Sequence, residues 1–364
     1  MTVKEWRLTN MSELSALKVG CGKFFYGKNV LSQLPDEILR LGGKALIVGG
    51  EHALSSFNLI AGNMLSASNF ELITHHDQCT KEKAEYYSKK ALNEGFTVLV
   101  GIGGGRCLDN VKCASVFSGL PVITVPTSIA TCVATSMTCI MYNDKGQREP
   151  AVNLKKEVDV CIADMDLIAT APRRLLASGI MDSLAKYPES FHQLNISSYR
   201  DCQLKEYIQV VNAKIIYDFL LGEYTDLYSQ GNQASRFKDV ILTNLLHTSI
   251  VSGFADGSGQ LAIAHATYDF MRNYHTEEGQ NFLHGEIVAV GLLVQMAFNQ
   301  MEQSEIERVR NAMRYMNMPL TLQDLGYPTS KENLDFFLSI VAKNTNIHSQ
   351  EDLMKLSKSM QQIL

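Results

Sequence analysis

Short apolar runs, each halted by glycine or proline and separated by helical patterns, constrain the first half of this chain more than any other feature. Residues 44–48 (KALIV) run into Gly49-Gly50, and residues 70–74 form a second run. Residues 97–102 (TVLVGI) run into Gly103-Gly104-Gly105, and residues 121–125 (PVITV) stop at Pro126. Helical patterns fall near residues 54–65, 81–93 and 107–117, and residues 137–142 and 158–163 read as further strands. A strand that is apolar throughout must be covered on both faces, and helices between such strands cover them. The expected architecture is a set of β-α-β units around a parallel sheet. After Asp164 the texture changes. Pro172 stands near a helix start, and helical patterns cover residues 174–187, 202–221, 237–251, 261–272 and 285–301. We expect an α/β domain over residues 1–165 and an all-α domain over residues 166–364.

Composition removes several alternatives. With 364 residues the chain is long enough to bury a large core without staples. A net charge of −5 argues against a broadly basic surface for nucleic acid or membrane. No window holds the ~18 consecutive apolar residues of a transmembrane helix, and the first twenty residues lack the apolar core of a secretion signal. Eight cysteines are scattered without a C-x-x-C pair, which disfavours a zinc ribbon or a disulfide framework and suits a reducing cytoplasm.

Three segments carry chemistry. In VLVGIGGGRCLD (residues 98–109) a strand enters a triple glycine and a helix follows. Glycine lets the backbone come close to a ligand, and the free N–H groups of a helix start can hold a pyrophosphate. The same loop also serves as a tight strand–helix turn, since neither the G-x-G-x-x-G nor the G-x-x-x-x-G-K-[ST] pattern is present. PTSIATCVATS (residues 126–136) lies after a parallel-type strand, where ligands gather; it equally suits a hydroxyl-rich loop that caps a helix. In the helical half, Asp182, His265 and His284 make one carboxylate and two imidazoles, a set that suits catalytic zinc or Fe(II). Each histidine taken alone is also compatible with a hydrogen-bonded core residue.

Taken together, these segments resemble the iron-containing alcohol dehydrogenase superfamily in its glycerol dehydrogenase-like branch. The carrying motifs are GIGGGRCLDNVK (101–112), LPVITVPTSIATCVATS (120–136), YNDKGQ (142–147), APRRLLASGIMDSLAK (171–186), AIAHA (262–266) and FLHGE (282–286), in family order. The TIATC and YNDKGQ segments look most like hydroxycarboxylate dehydrogenases. The resemblance implies a dehydroquinate synthase-like fold, with a dinucleotide-binding α/β domain, a helical metal-binding domain and a cleft between them. It implies NAD or NADP held by Gly103, Gly104, Gly105 and Arg106, with Asp109 as the motif's acid and Thr127, Ser128, Ser136, Thr138 and Tyr142 lining the cofactor. It implies one divalent metal on Asp182, His265 and His284. Lys186 stands where four-ligand iron members carry a further His, so zinc is expected over iron. Hydride transfer to or from a small substrate and self-association of the chain are implied in the same way.

Several positions depart from the family pattern. Cys132 replaces a substrate-binding Asp, which removes a hydroxyl acceptor and weighs against glycerol, or it is a structural small hydrophobe, the commoner role of a free cysteine. Lys186, one turn from Asp182, either pairs with a substrate carboxylate, favouring 2-oxo acids, or pairs with Asp182 or Glu189. Gly50 stands where NAD-using members hold the ribose with an Asp; Glu51 is the substitute, and NADP remains open. The second His of H-A-x-H-N-G is Tyr268, a weaker acid placed near the substrate. Pro188 is expected to kink or end the Asp182 helix. Alternatives to the dehydrogenase are a dehydroquinate synthase-like lyase, with Lys186, Arg173 and Arg174 for a phosphorylated substrate, and a catalytically impaired nucleotide-binding relative.

Overall fold

The computed structural model describes residues 19–76, 78–192, 196–255 and 262–364. Eight strands are present among them: β1 Cys21–Gly27, β2 Lys44–Gly50, β3 Asn69–His75, β4 Val98–Gly103, β5 Val122–Pro126, β6 Thr138–Cys139, β7 Val152–Asn153 and β8 Val158–Asp164. Six form one parallel sheet in the order β1-β8-β5-β4-β2-β3. β6 and β7 form a separate antiparallel pair.

The apolar runs behave as their composition requires. Along β2, Leu46 and Val48 face one core together with Ala84, Tyr87 and Val111, while Ala45 and Ile47 face the other with Leu34, Leu54 and Phe57. Helices Lys81–Asn93 and Gly105–Ser118 therefore cover one face of the sheet, and helices Leu34–Arg40 and Glu51–Ala61 cover the other. From β2 the chain steps outward to β3 and then returns past β2 to β4. This reversal opens a crevice at the carboxyl ends of β2 and β4, where open α/β sheets bind ligands. The glycine loop lies there.

From Met165 onward the described chain is helical. Arg173–Ser190, Leu204–Gln230, Ile263–Tyr274 and His284–Phe298 pack into the largest core, around Ile180, Leu184, Ile216, Phe270, Ile287 and Leu292. No helix among the described residues is long and apolar enough to cross a membrane.

Four local expectations need correction. β1 was not foreseen: it is a partly exposed edge strand, CGKFFYG, and its Phe24-Phe25-Tyr26 run was the available signal. Residues 137–142 are not a continuous strand. The Ile140 N–H donates to Asp109 Oδ2 (3.1 Å) and the Tyr142 N–H to the Cys79 carbonyl (2.8 Å), so only Thr138 and Cys139 pair in a ladder. Pro188 neither ends nor breaks its helix, which runs on to Ser190. It sits in the last turn, where its missing N–H removes one bond, and the Asn299 amide caps its carbonyl at 2.6 Å. Residues 237–251 are interrupted by a π-helical turn, Thr243–His247. The predicted start of the His265 helix at residue 261 lies outside the described residues; the helix is described from Ile263.

Candidate active site

A cleft of about 940 Å³ lies between the carboxyl edge of the sheet and the helical half. On the sheet side, Gly104 caps the Gly105–Ser118 helix with extended backbone and no side-chain cap, so the first N–H groups of that helix are left for a ligand. A Cβ on Gly104 would stand 3.8 Å from Ser128 Oγ, and one on Gly105 would stand 3.8 Å from Val133 Cγ1. The glycines thus keep open a gap that side chains would fill, and the residues present fit a pyrophosphate there.

Gly104, Gly105, Arg106, Asp109, Thr127, Ser128, Cys132, Ser136, Thr138 and Tyr142 all line the cleft. Gly50, Glu51 and Gly103 are not on its wall; His52, Ala53 and Ser56 are. Glu51 is exposed, with its carboxylate 3.9 Å from His76 Nδ1. Asp109 and Ser136 face inward to structural work. The fully buried Lys112 ammonium stands 3.1 Å from Asp109 Oδ1 and donates to Ser136 Oγ (3.0 Å) and to the carbonyls of Val133 (2.8 Å), Ser136 (3.0 Å) and Thr138 (2.9 Å). One lysine therefore fastens the loop that carries the cleft's hydroxyl side chains. Sequence reasoning missed Lys112, although its i,i+3 spacing from Asp109 is the available signal.

On the helical side three residues converge. Asp182 projects from the middle of Arg173–Ser190, His265 from the first turn of Ile263–Tyr274, and His284 from the start of His284–Phe298. The approach is close. A Cβ on Gly179 would stand 1.8 Å from the Ile129 carbonyl oxygen, and one on Gly285 would stand 1.9 Å from the Ser178 carbonyl oxygen. The Gly285 N–H donates to Ser178 Oγ (3.0 Å), and Arg174 grips Glu286 with both nitrogens (2.6 and 2.7 Å), fixing the His284 turn.

Asp182 Oδ1 lies 3.4 Å from His265 Nε2 and 3.3 Å from His284 Nε2, and it accepts no well-aligned hydrogen bond. A tetrahedron with bonds of about 2.0–2.1 Å has edges of about 3.3–3.4 Å, so this spacing suits a zinc-sized ion. These three form the metal-ligand cluster found among the described residues. Burial works against the Asp182 carboxylate, yet Lys186 and His284 beside it hold its pKa well below the ordinary value. Burial pushes the His284 pKa down, which favours the neutral imidazole that ligation needs.

Glu189 was not foreseen as a site residue. Its two oxygens lie 2.7 and 2.8 Å from His265 Nδ1, and it accepts the His265 backbone N–H at 3.0 Å. A carboxylate on the far ring nitrogen fixes the tautomer and orients a metal-binding imidazole. Glu189 is seven residues after Asp182, two turns along the same face, which is the signal the sequence offered.

Lys186 lines the cleft with its Nζ 3.2 Å from His265 Nε2 and 3.8 Å from Asp182 Oδ1. The Tyr268 hydroxyl meets the Tyr142 hydroxyl at 2.8 Å, and its ring packs edge-on against His284. Burial raises both phenol pKa values, so both groups stay protonated, and one hydroxyl of the pair donates to the other. Arg148 pairs with Asp269, and the Arg272 guanidinium stands 4.9 Å over the Tyr142 ring.

A parallel α/β layer with a glycine-lined crevice, facing a helical Asp-His-His cluster across one cleft, suits an alcohol dehydrogenase-type oxidoreductase. Comparison with known proteins agrees. The iron-containing alcohol dehydrogenase family model matches residues 21–165. Hydroxycarboxylate dehydrogenase A of Escherichia coli K12 is 31% identical over 285 residues, covering 78% of this chain and 77% of its own. Glycerol dehydrogenase of Pseudomonas putida is 28% identical over 309 residues, covering 84% and 83%. A probable glycerol dehydrogenase from Sinorhizobium meliloti 1021 shares the fold, with a TM-score of 0.78 at 20% identity over 95% of this chain and 99% of its own. The chain belongs to the iron-containing alcohol dehydrogenase family and is a glycerol dehydrogenase-like member of it. The family is metal-dependent and NAD-linked.

Proposed function

We propose that this oxidoreductase moves hydride between NAD(P)H and a small 2-oxo or 2-hydroxy acid, using one zinc ion on Asp182, His265 and His284. The observation that carries the reading is the ammonium of Lys186 beside that cluster in the cleft. Position 132, which also lines the cleft, is a cysteine and offers a hydroxyl substrate no carboxylate. A substrate with a carboxylate next to its reacting carbon meets a cation here, whereas a polyol lacks a carboxylate acceptor at position 132.

When bound, the metal supplies Lewis acidity at the reacting oxygen, and the dinucleotide supplies or takes the hydride. The chain's own residues do the rest. Asp182, His265 and His284 fix the ion's place, and Glu189 orients His265. Lys186 holds the substrate's carboxylate. Tyr268, backed by Tyr142, donates a hydrogen bond on the His284 side of the cleft. The eight unpaired cysteines support a reducing, cytoplasmic home.

The lyase reading loses support, because Arg174 is committed to Glu286, and neither Arg173 nor Arg174 lines the cleft. The test is oxidation of NADH and NADPH by zinc-loaded protein with 2-oxobutanoate, 2-oxoglutarate and dihydroxyacetone in parallel. The reading expects turnover with an oxo acid and none in Asp182→Ala. It also expects Lys186→Ala to raise KM for the oxo acid more than for the uncharged ketone. Turnover with dihydroxyacetone alone would refute the acid substrate.

A further inference from the structure

The His265 ring has two nitrogens with different tasks. Its Nδ1 lies within 2.8 Å of both Glu189 oxygens, so the ring proton sits on Nδ1 and is donated to the carboxylate. In the neutral ring, the form that ligates a metal, Nε2 then carries a single lone pair in the plane of the ring. The Lys186 ammonium stands 3.2 Å from that nitrogen and 3.8 Å from Asp182 Oδ1. Its side chain is only 12% exposed, so water screens its charge little. Asp182 and Glu189, the two carboxylates of the cluster, are almost completely buried, and the lysine lies on the same helix between them.

A metal ion on His265 needs the lone pair into which the ammonium donates. Both cannot use it together, and two neighbouring cations repel each other in a site this dry. We propose that Lys186 is a built-in competitor for the metal. It offsets the carboxylates and holds His265 in place when no ion is bound, and it must leave His265 Nε2 when an ion arrives. The displaced ammonium then points into the cleft, and only the metal-loaded protein presents it to a substrate anion. The inference rests on the metal reading given above and adds a role for the lysine in ion binding itself.

A merely structural lysine and a competing lysine predict opposite signs. If Lys186 only supports the fold, removing it loosens the site and weakens metal binding. If it competes, removing it tightens metal binding while destabilising the metal-free chain. The measurement is the zinc dissociation constant of the metal-stripped full chain, by competition with a chromophoric chelator, beside the melting temperature with and without zinc. Wild type, Lys186→Met, Lys186→Gln and Asp182→Ala are compared. The expected result is zinc bound about tenfold or more tightly in Lys186→Met, on the scale of neighbouring-residue effects on metal affinity. Its zinc-free form should melt lower and gain more on zinc addition than wild type does. Lys186→Gln, which keeps a donor but no charge, should also bind zinc more tightly, and it decides the matter if the methionine variant does not fold. Equal or weaker zinc binding in the folded variants overturns the proposal. If wild type binds no zinc that Asp182→Ala abolishes, the metal reading falls and the proposal with it.

Discussion

Glutamate 189 is the residue whose role is best separated from its neighbours. It touches no cleft ligand directly except His265, and it does so at both oxygens. Glu189→Gln keeps the shape and one acceptor but removes the charge that favours the correct tautomer. We expect a loss of about 10–100-fold in zinc affinity with little change in melting temperature, read by chelator competition and thermal unfolding. The Tyr142–Tyr268 contact makes a second prediction. Tyr268→Phe removes the partner of the cleft-lining Tyr142 hydroxyl and should cost about 0.5–1.5 kcal/mol in urea unfolding. The sequence named Asp182, His265, His284, Lys186 and Tyr268 because each lies in a motif whose neighbours are distinctive. Glu189 escaped because its partner His265 is far away in the chain, and Lys112 because the carbonyls it fastens lie 21 to 26 residues on, its neighbour Asp109 being the one local signal. No window of sequence shows that Glu189 meets His265, 76 residues later.

The strands were most legible where burial is complete on both faces, although the partly exposed edge strand β3 was legible too. β2, β4 and β5 announce themselves as near-continuous apolar runs, and β8 as one interrupted by Asp159. β1 is less legible although it carries a Phe24-Phe25-Tyr26 run, because that run is short and only partly buried. Residues 137–142 misled because a β-like composition was spent on bonds to the Asp109 carboxylate and the Cys79 carbonyl rather than on a ladder. The π-helical turn likewise has a tertiary cause. Through it the Asn244 amide donates to the Ile129 carbonyl (3.1 Å) and the Leu245 carbonyl accepts from the Thr135 hydroxyl, tying the cleft loop to the helical half. Lys112 ties the same loop from the other side. Lys112→Met leaves the Asp109 carboxylate buried beside no cation and should cost about 3–5 kcal/mol of stability in denaturant unfolding. Gly179→Ala should be as damaging, by about 3 kcal/mol or more, since its methyl would meet a backbone oxygen that has no room to give.

Over the whole molecule, the site is made by apposition. The sheet contributes an unfilled helix start and a hydroxyl loop, the helical half contributes ligands from three separate helices, and neither holds a complete reaction centre alone. The alternation of elements predicted both layers. Their meeting at Gly179 against Ile129 depends on a contact that only the folded chain defines. The most direct test of this account measures zinc per chain and NAD(P)H oxidation on the same samples, for wild type, Asp182→Ala, His265→Ala and His284→Ala, before and after chelation. The account predicts one zinc per chain in wild type, its loss in each variant, and oxidation that falls and returns with the zinc. Undiminished oxidation by chelator-stripped wild type, or by a variant that holds no metal, would contradict it.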